Sequence, residues 1–170
     1  MGNNTKIFHR LFGLESFVES SLFHSNTNNV IDLSNFSITD EHLKSIALII
    51  IKTKHAFSLN LQQCGGITSD GFSSFAESIT NVSRLLISLN LSDCPKIDDY
   101  SCKSIGRFFK RLNSINLNCC RVSGVGVEYI LKGCKYINEL RIRNVKLGDR
   151  GMEELRMYAV MTKKLKVLGR

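Results

Sequence analysis

The chain has 170 residues, 43% of them hydrophobic, with six cysteines, one proline and a formal net charge of +8. That length and apolar content suit one ordinary soluble domain with ample core, and the longest aliphatic run, Ile46–Ile51, is far too short to span a bilayer. The charge is uneven: residues 1–85 hold six Lys/Arg against seven Asp/Glu, and residues 86–170 hold seventeen against eight, so the basic character belongs to the second half.

Residues 1–29 are expected to form a helical cap and a linker. Within 6–24, Ile7, Phe8, Leu11, Phe12, Phe17, Val18 and Leu22 are spaced to cover a broad helical face. Such a face would close the end of a repeat stack; a partner-binding or membrane-surface helix is the alternative reading. Glu15 and Glu19, with no basic start before a clean apolar stretch, weigh against a secretory or mitochondrial presequence. Six cysteines without such a signal are expected to be free thiols in the reducing cytoplasm.

From Val30 to residue 157 the chain repeats itself. Ser58–Cys64 reads Ser-Leu-Asn-Leu-Gln-Gln-Cys, Ser88–Cys94 reads Ser-Leu-Asn-Leu-Ser-Asp-Cys, and Ser114–Cys120 reads Ser-Ile-Asn-Leu-Asn-Cys-Cys. Each opens with the alternation of a short strand. The strand pairs are Ile31/Leu33, Leu59/Leu61, Leu89/Leu91, Ile115/Leu117 and Leu140/Ile142, and their second members step by 28, 30, 26 and 25 residues. Three residues beyond each pair stand Phe36, Cys64, Cys94, Cys120 and Val145. Helix-start signals follow at Thr39-Asp40, Thr68, Asp98-Asp99 and Ser123. Leu43/Ile46, Phe72/Phe75, Cys102/Ile105, Val127/Ile130 and Met152/Leu155 then complete one helical face per unit. Gly71, Gly126 and Gly151 recur early in three helices, where close packing at the strand-to-helix corner is expected. Residues 158–170, with Lys163, Lys164, Lys166 and Arg170, read as a basic tail.

The pattern Leu-x-Leu-x-x-Cys followed by Ile-Thr-Ser-Asp-Gly or Ile-Asp-Asp resembles the cysteine-containing subfamily of leucine-rich repeats, best known from the substrate-receptor part of F-box proteins. The resemblance covers about residues 30–157, and the 29 residues before Val30 are expected to hold a cap and not an F-box. It implies an α/β solenoid of about five short strand–helix repeats, with a parallel sheet on the concave side and helices outside. It also implies a non-enzymatic adaptor or scaffold that binds a protein partner, like the substrate receptors of ubiquitin ligases. A short repeat-only chain is similar, too, to the mitochondrial coupling factor B group associated with ATP synthase.

The residues favour binding over catalysis. Cys64, Cys94 and Cys120 share one repeat position, where a small apolar side chain packs behind the strand, and Cys102 and Cys134 lie on helix faces. No Cys-x-x-Cys pair occurs, and His9, His24, His42 and His55 are scattered, so neither a metal nor another cofactor is expected. Cys119 points away from the core and is a candidate surface thiol. No nucleophile sits in an elbow or triad context, so no catalytic residue and no small-molecule substrate are assigned.

On the concave sheet, Asp32–Asn60–Asn90–Asn116–Arg141 should form one row and Ser34–Gln62–Ser92–Asn118–Arg143 a second. Asn60, Asn90, Asn116, Asn118, Arg141 and Arg143 are the candidate partner-binding residues: amides both donate and accept, and arginine grips a carboxylate or phosphate bidentately. Lys103, Arg107, Lys110 and Arg111 form a basic stripe at helical spacing. The stripe and the tail give a second reading, an electrostatic tether to an acidic protein or a membrane surface. No aromatic residue interleaves with the stripe in the way a single-strand binder needs, so specific nucleic-acid recognition is not expected. The chain is read as a monomer or as one subunit of a complex.

Overall fold

A computed structural model describes residues 30–34, 36–162 and 165–168, together with Gly13, Ser16 and Val18. Its elements alternate in chain order: β1 (Val30–Asp32), α1 (Asp40–Ile50), β2 (Phe57–Asn60), α2 (Ser69–Ser78), β3 (Leu86–Asn90), α3 (Asp99–Phe108), β4 (Ser114–Asn116), α4 (Gly124–Gly133), β5 (Glu139–Arg141), α5 (Gly148–Thr162) and β6 (Lys166–Leu168). The strands form a single sheet in sequential order, every neighbouring pair parallel. Each helix therefore carries the chain back between parallel strands, and successive strand–helix units stack into a solenoid.

The expected strand pairs sit in register, with Ile31, Leu59, Leu89, Ile115 and Leu140 paired across the sheet and all of them buried. Behind them lies one continuous core that takes in Phe72, Phe75, Cys102, Ile105, Val127, Ile130 and Leu155 from the helices. Differences come at the terminal units. Phe36, at the cysteine position of the first unit, is exposed, and Met152 and Val145 in the last are only half-buried. Among the described residues no strand precedes β1 and no helix follows β6, so the side chains of these units meet less of the stack.

The helix starts fall where the sequence places them, with Thr39, Thr68, Asp98 and Ser123 as N-caps. These caps also join units. Asp40 accepts hydrogen bonds from the Thr68 backbone N–H (2.8 Å) and hydroxyl (2.7 Å), and Asp99 accepts the same pair from Ser123 (2.7 and 2.5 Å). Gly71 and Gly126 are small for this reason: a Cβ at either would overlap the carboxylate of Asp40 or Asp99. The cysteine position joins units as well. The thiols of Cys64, Cys94 and Cys120 point at the carbonyls of Leu33, Leu61 and Leu91 in the preceding unit, at 3.7, 3.2 and 3.0 Å. Burial pushes these thiols up, to about 11 for Cys64 and about 12 for Cys94 and Cys120, so each stays a neutral weak donor.

Two boundaries need comment. The cap helix expected within 1–29 lies outside the described residues except at Gly13, Ser16 and Val18, which are helical; Val18 is fully buried in the core. The segment expected as a basic tail is instead the end of α5 and a sixth strand. Lys166, Val167 and Leu168 pair with Glu139, Leu140 and Arg141, and Val167 takes the buried-side register. Only Leu165 and Val167 pack against the core here, and among so many lysines two such positions are too short a run to show the alternation.

Candidate interaction face

The face of the sheet turned away from the helices presents two columns. The outer row expected from the sequence is present in register, Asp32, Asn60, Asn90, Asn116 and Arg141, and Leu168 extends it. Two residues upstream runs a column the sequence reading did not single out: Val30, Ser58, Ser88, Ser114, Glu139 and Lys166. Strand alternation sends both columns to the same face, so the signal was present in the repeated serine before each Leu-Asn-Leu.

The asparagines do two jobs. Asn60, Asn90 and Asn116 each accept, through Oδ1, the backbone N–H two residues on, from Gln62 (3.1 Å), Ser92 (3.0 Å) and Asn118 (3.1 Å). Asn118 Oδ1 accepts from the Arg143 N–H at 2.6 Å. A backbone N–H can only donate, so these contacts fix which end of each amide is oxygen. They hold the turn that leaves each strand. The turn then places Gln63, Asp93, Cys119 and Asn144 in the left-handed region, with φ of 58–61°. From there Gln63, Asp93 and Cys119 donate their N–H to the next unit's Ser92, Asn118 and Arg143 carbonyls, each at 2.9 Å.

Consequently the acceptor side of the amide column is occupied from within. Asn60 Nδ2 donates to Asp32 at 2.9 Å. Among the described contacts the Nδ2 groups of Asn116 and Asn118 have no such partner, and they lie beside Arg141 and Arg143. Both arginines are exposed; Arg141 pairs with Glu139 at 2.7 Å, whereas Arg143 makes no ion pair among the described residues. The C-terminal part of the face is therefore rich in donors and positive.

The residues of the basic stripe belong to two elements. Helix α3 ends at Phe108, so Lys103 and Arg107 lie on its outer surface, while Lys110 and Arg111 belong to the connection that leads to β4. Lys110 donates to the Gly106 carbonyl at 2.6 Å, a cation on a helix C-terminus. The Arg111 guanidinium lies 5.6 Å from the Tyr136 ring centre. Cys119 is exposed, as expected, and the Asn144 amide contacts its sulfur at 3.3 Å. Among the described residues no group of His, Cys, Asp and Glu could hold a metal ion, and no helix is long and apolar enough to cross a membrane. A cavity of about 400 Å3 opens at the C-terminal end of the stack, walled by Ile142, Val145, Leu147, Met152, Leu155 and Val167.

No family model matches the chain. It is similar to a transport inhibitor response 1-like protein of Oryza sativa subsp. japonica, 38% identical over 80 residues, which is 47% of this chain and 13% of that relative. Among solved structures it is similar to actin-binding site 2 of leiomodin-1, with a TM-score of 0.58 and 18% identity over 72% of this chain and 75% of the other. The second likeness is one of fold alone.

Proposed function

We propose that this protein is a non-enzymatic, leucine-rich-repeat interaction module whose concave sheet binds a protein partner. The reading is carried by one observation: the amide oxygens of the half-buried column are committed to the protein's own turns, and Asn60 and Asn90 also donate to Asp32 and Gln62, so the Nδ2 groups of Asn116 and Asn118, with Arg141, Arg143 and Lys166, are what remains for a partner. A face of donors calls for a partner of acceptors. The best match is an extended segment that lays backbone carbonyls along the amides and a carboxylate against the arginines. The cysteine-containing repeat pattern supports the finer reading, an adaptor or scaffold comparable to the substrate receptors of ubiquitin ligases acting in the cytoplasm. The resemblance to the coupling factor B group ranks below it, because it rests on chain type alone.

Co-purification from cells, run beside an Arg141→Glu/Arg143→Glu variant, tests the proposal. A stoichiometric protein retained by the parent chain and lost from a folded variant is the expected result. A partner set that is unchanged in the variant would remove the concave face from consideration.

A further inference from the structure

The two edges of the sheet differ in charge. The connections from strand to helix and the helix starts carry both signs, with Asp40, Asp93, Asp98 and Asp99 against Lys96, Arg121 and Lys146. The connections from helix to strand do not. Residues 51–56, 79–85, 109–113 and 134–138 contain Lys52, Lys54, Arg84, Lys110, Arg111 and Lys135 and no Asp or Glu, and all six cations are exposed; the nearest acids flanking them are Glu77 in the last turn of α2 and Glu139 at the start of β5, the latter paired with Arg141. Parallel strands of one sheet put these connections side by side along a single edge, about 4.8 Å per strand. Cations near helix C-termini are favourable in themselves, yet among the six only Lys110 is seen on a helix-end carbonyl.

The same edge carries an apolar projection. Aligned on Val127/Met152 and Ile130/Leu155, the end of α4 at Gly133 corresponds to Tyr158 in α5, and α5 continues to Thr162. The extra turn stands about 6 Å beyond the other helix ends. It bears Val160 (73% exposed) and Met161 (79%), with Met157 (54%) one turn behind and Tyr136 (60%) on the neighbouring connection. A groove of about 290 Å3 between α4 and α5 has Lys132, Lys135 and Glu154 beside Met157 and Met161, Lys132 being paired with Glu128 and Glu154. In the sequence Lys163 and Lys164 follow directly.

We propose that this edge docks on an anionic lipid surface, the cations facing headgroup phosphates and carboxylates while Val160 and Met161 enter the acyl boundary. A row of one sign supplies attraction to a negative leaflet, and exposed aliphatics on a projecting turn supply the apolar insertion that a polyanion in water has no use for. Nucleic acid fits less well, since of the exposed Phe and Tyr side chains among the described residues only Tyr136 lies on a helix-to-strand connection. The inference is independent of the concave face.

Vesicle flotation of the full chain tests it, with phosphatidylcholine alone and with about 30% phosphatidylserine, at low and physiological salt. Binding is expected only to the anionic vesicles and weaker in salt. Lys110→Glu/Arg111→Glu/Lys135→Glu should weaken it at least about tenfold and Val160→Asp/Met161→Asp several-fold. All five positions are exposed, and a thermal melt checks that each variant folds. The variant Lys96→Glu/Arg121→Glu/Lys146→Glu changes net charge equally on the opposite edge and should bind like the parent. No flotation at low salt would overturn the proposal. So would equal losses from the two edges, or Val160→Asp/Met161→Asp binding unchanged while single-stranded DNA or poly-glutamate binds as tightly, which would mark a general polyanion surface.

Discussion

The clamp between units can be tested by exchanging its two halves. Asp40→Ala removes a charged acceptor from the Thr68 N–H and hydroxyl. Bonds to charged groups contribute about 1.5–3 kcal/mol each, less where water replaces them, and this half-buried site should lose about 2.5 kcal/mol in all. Gly71→Ala reaches the same end from the other side. The three atoms nearest the new methyl all belong to the Asp40 carboxylate, which must move and give up Thr68. Helix propensity returns about 1 kcal/mol and strain removes a similar amount, so the net loss is again about 2.5 kcal/mol. In the double variant the methyl occupies the space the carboxylate leaves, and the bonds are lost only once. Its cost should be about 2 kcal/mol where additivity gives about 5, a coupling of about 3 kcal/mol. Urea unfolding followed by circular dichroism measures all four proteins. If the double variant loses the sum of the singles, the glycine is not there to make room for the carboxylate.

Two further outcomes follow from the thiols and from Glu128. Under native conditions near pH 8, a thiol alkylating reagent should add once among the described cysteines, at exposed Cys119, because burial holds Cys64, Cys94, Cys120 and Cys134 at about 11 to 12 and raises Cys102 as well; rapid multiple addition, read by intact mass, would contradict the buried ladder. Hydrogen bonds from Arg150 and then Lys132 hold the Glu128 carboxyl below its ordinary value of 4.5. Its stabilising contribution is therefore complete above that value and is lost as pH falls through the lowered native one. Glu128→Gln should have a lower urea midpoint than the parent at pH 7 and approach it at pH 3, and a gap independent of pH would refute the assignment.

The fold was legible in the sequence because its units repeat: Leu59, Leu89 and Ile115 could be aligned before any element was assigned, and once aligned they fixed the N-caps and the helix face. What repetition could not show was the link between units. Asp40 and Thr68 stand 28 residues apart, each an unremarked member of a local cap signal, and only stacking makes them partners. The left-handed position was hidden differently. Asp93 and Asn144 suit it, but Gln63 and Cys119 do not advertise it, and no glycine occurs there. The sixth strand was missed because its alternation, Leu165-Lys166-Val167, is only three residues long and sits among lysines. The basic stripe was divided because α3 stops at Phe108, one turn before helical spacing alone would end it.

The candidate face shows why a polar repeat position is an incomplete guide to binding. An asparagine in this column is first a device for leaving the strand: its oxygen takes the N–H two residues on, and the chain then turns through a strained residue whose own N–H ties to the next unit. Replacing the amide would loosen that turn before it altered any partner contact, so binding lost from an asparagine variant would carry a stability effect within it. Arg143 is different, since its side chain holds no turn and makes no ion pair among the described residues, and only its backbone N–H serves Asn118. The arginines therefore separate recognition from folding where the asparagines cannot. The same distinction applies at the basic edge: Lys110 stabilises a helix end through Gly106, whereas Val160 and Met161 on the projecting turn are largely exposed to solvent. Aliphatic side chains left in water there contribute little to the fold, and a surface that takes them up would recover their burial.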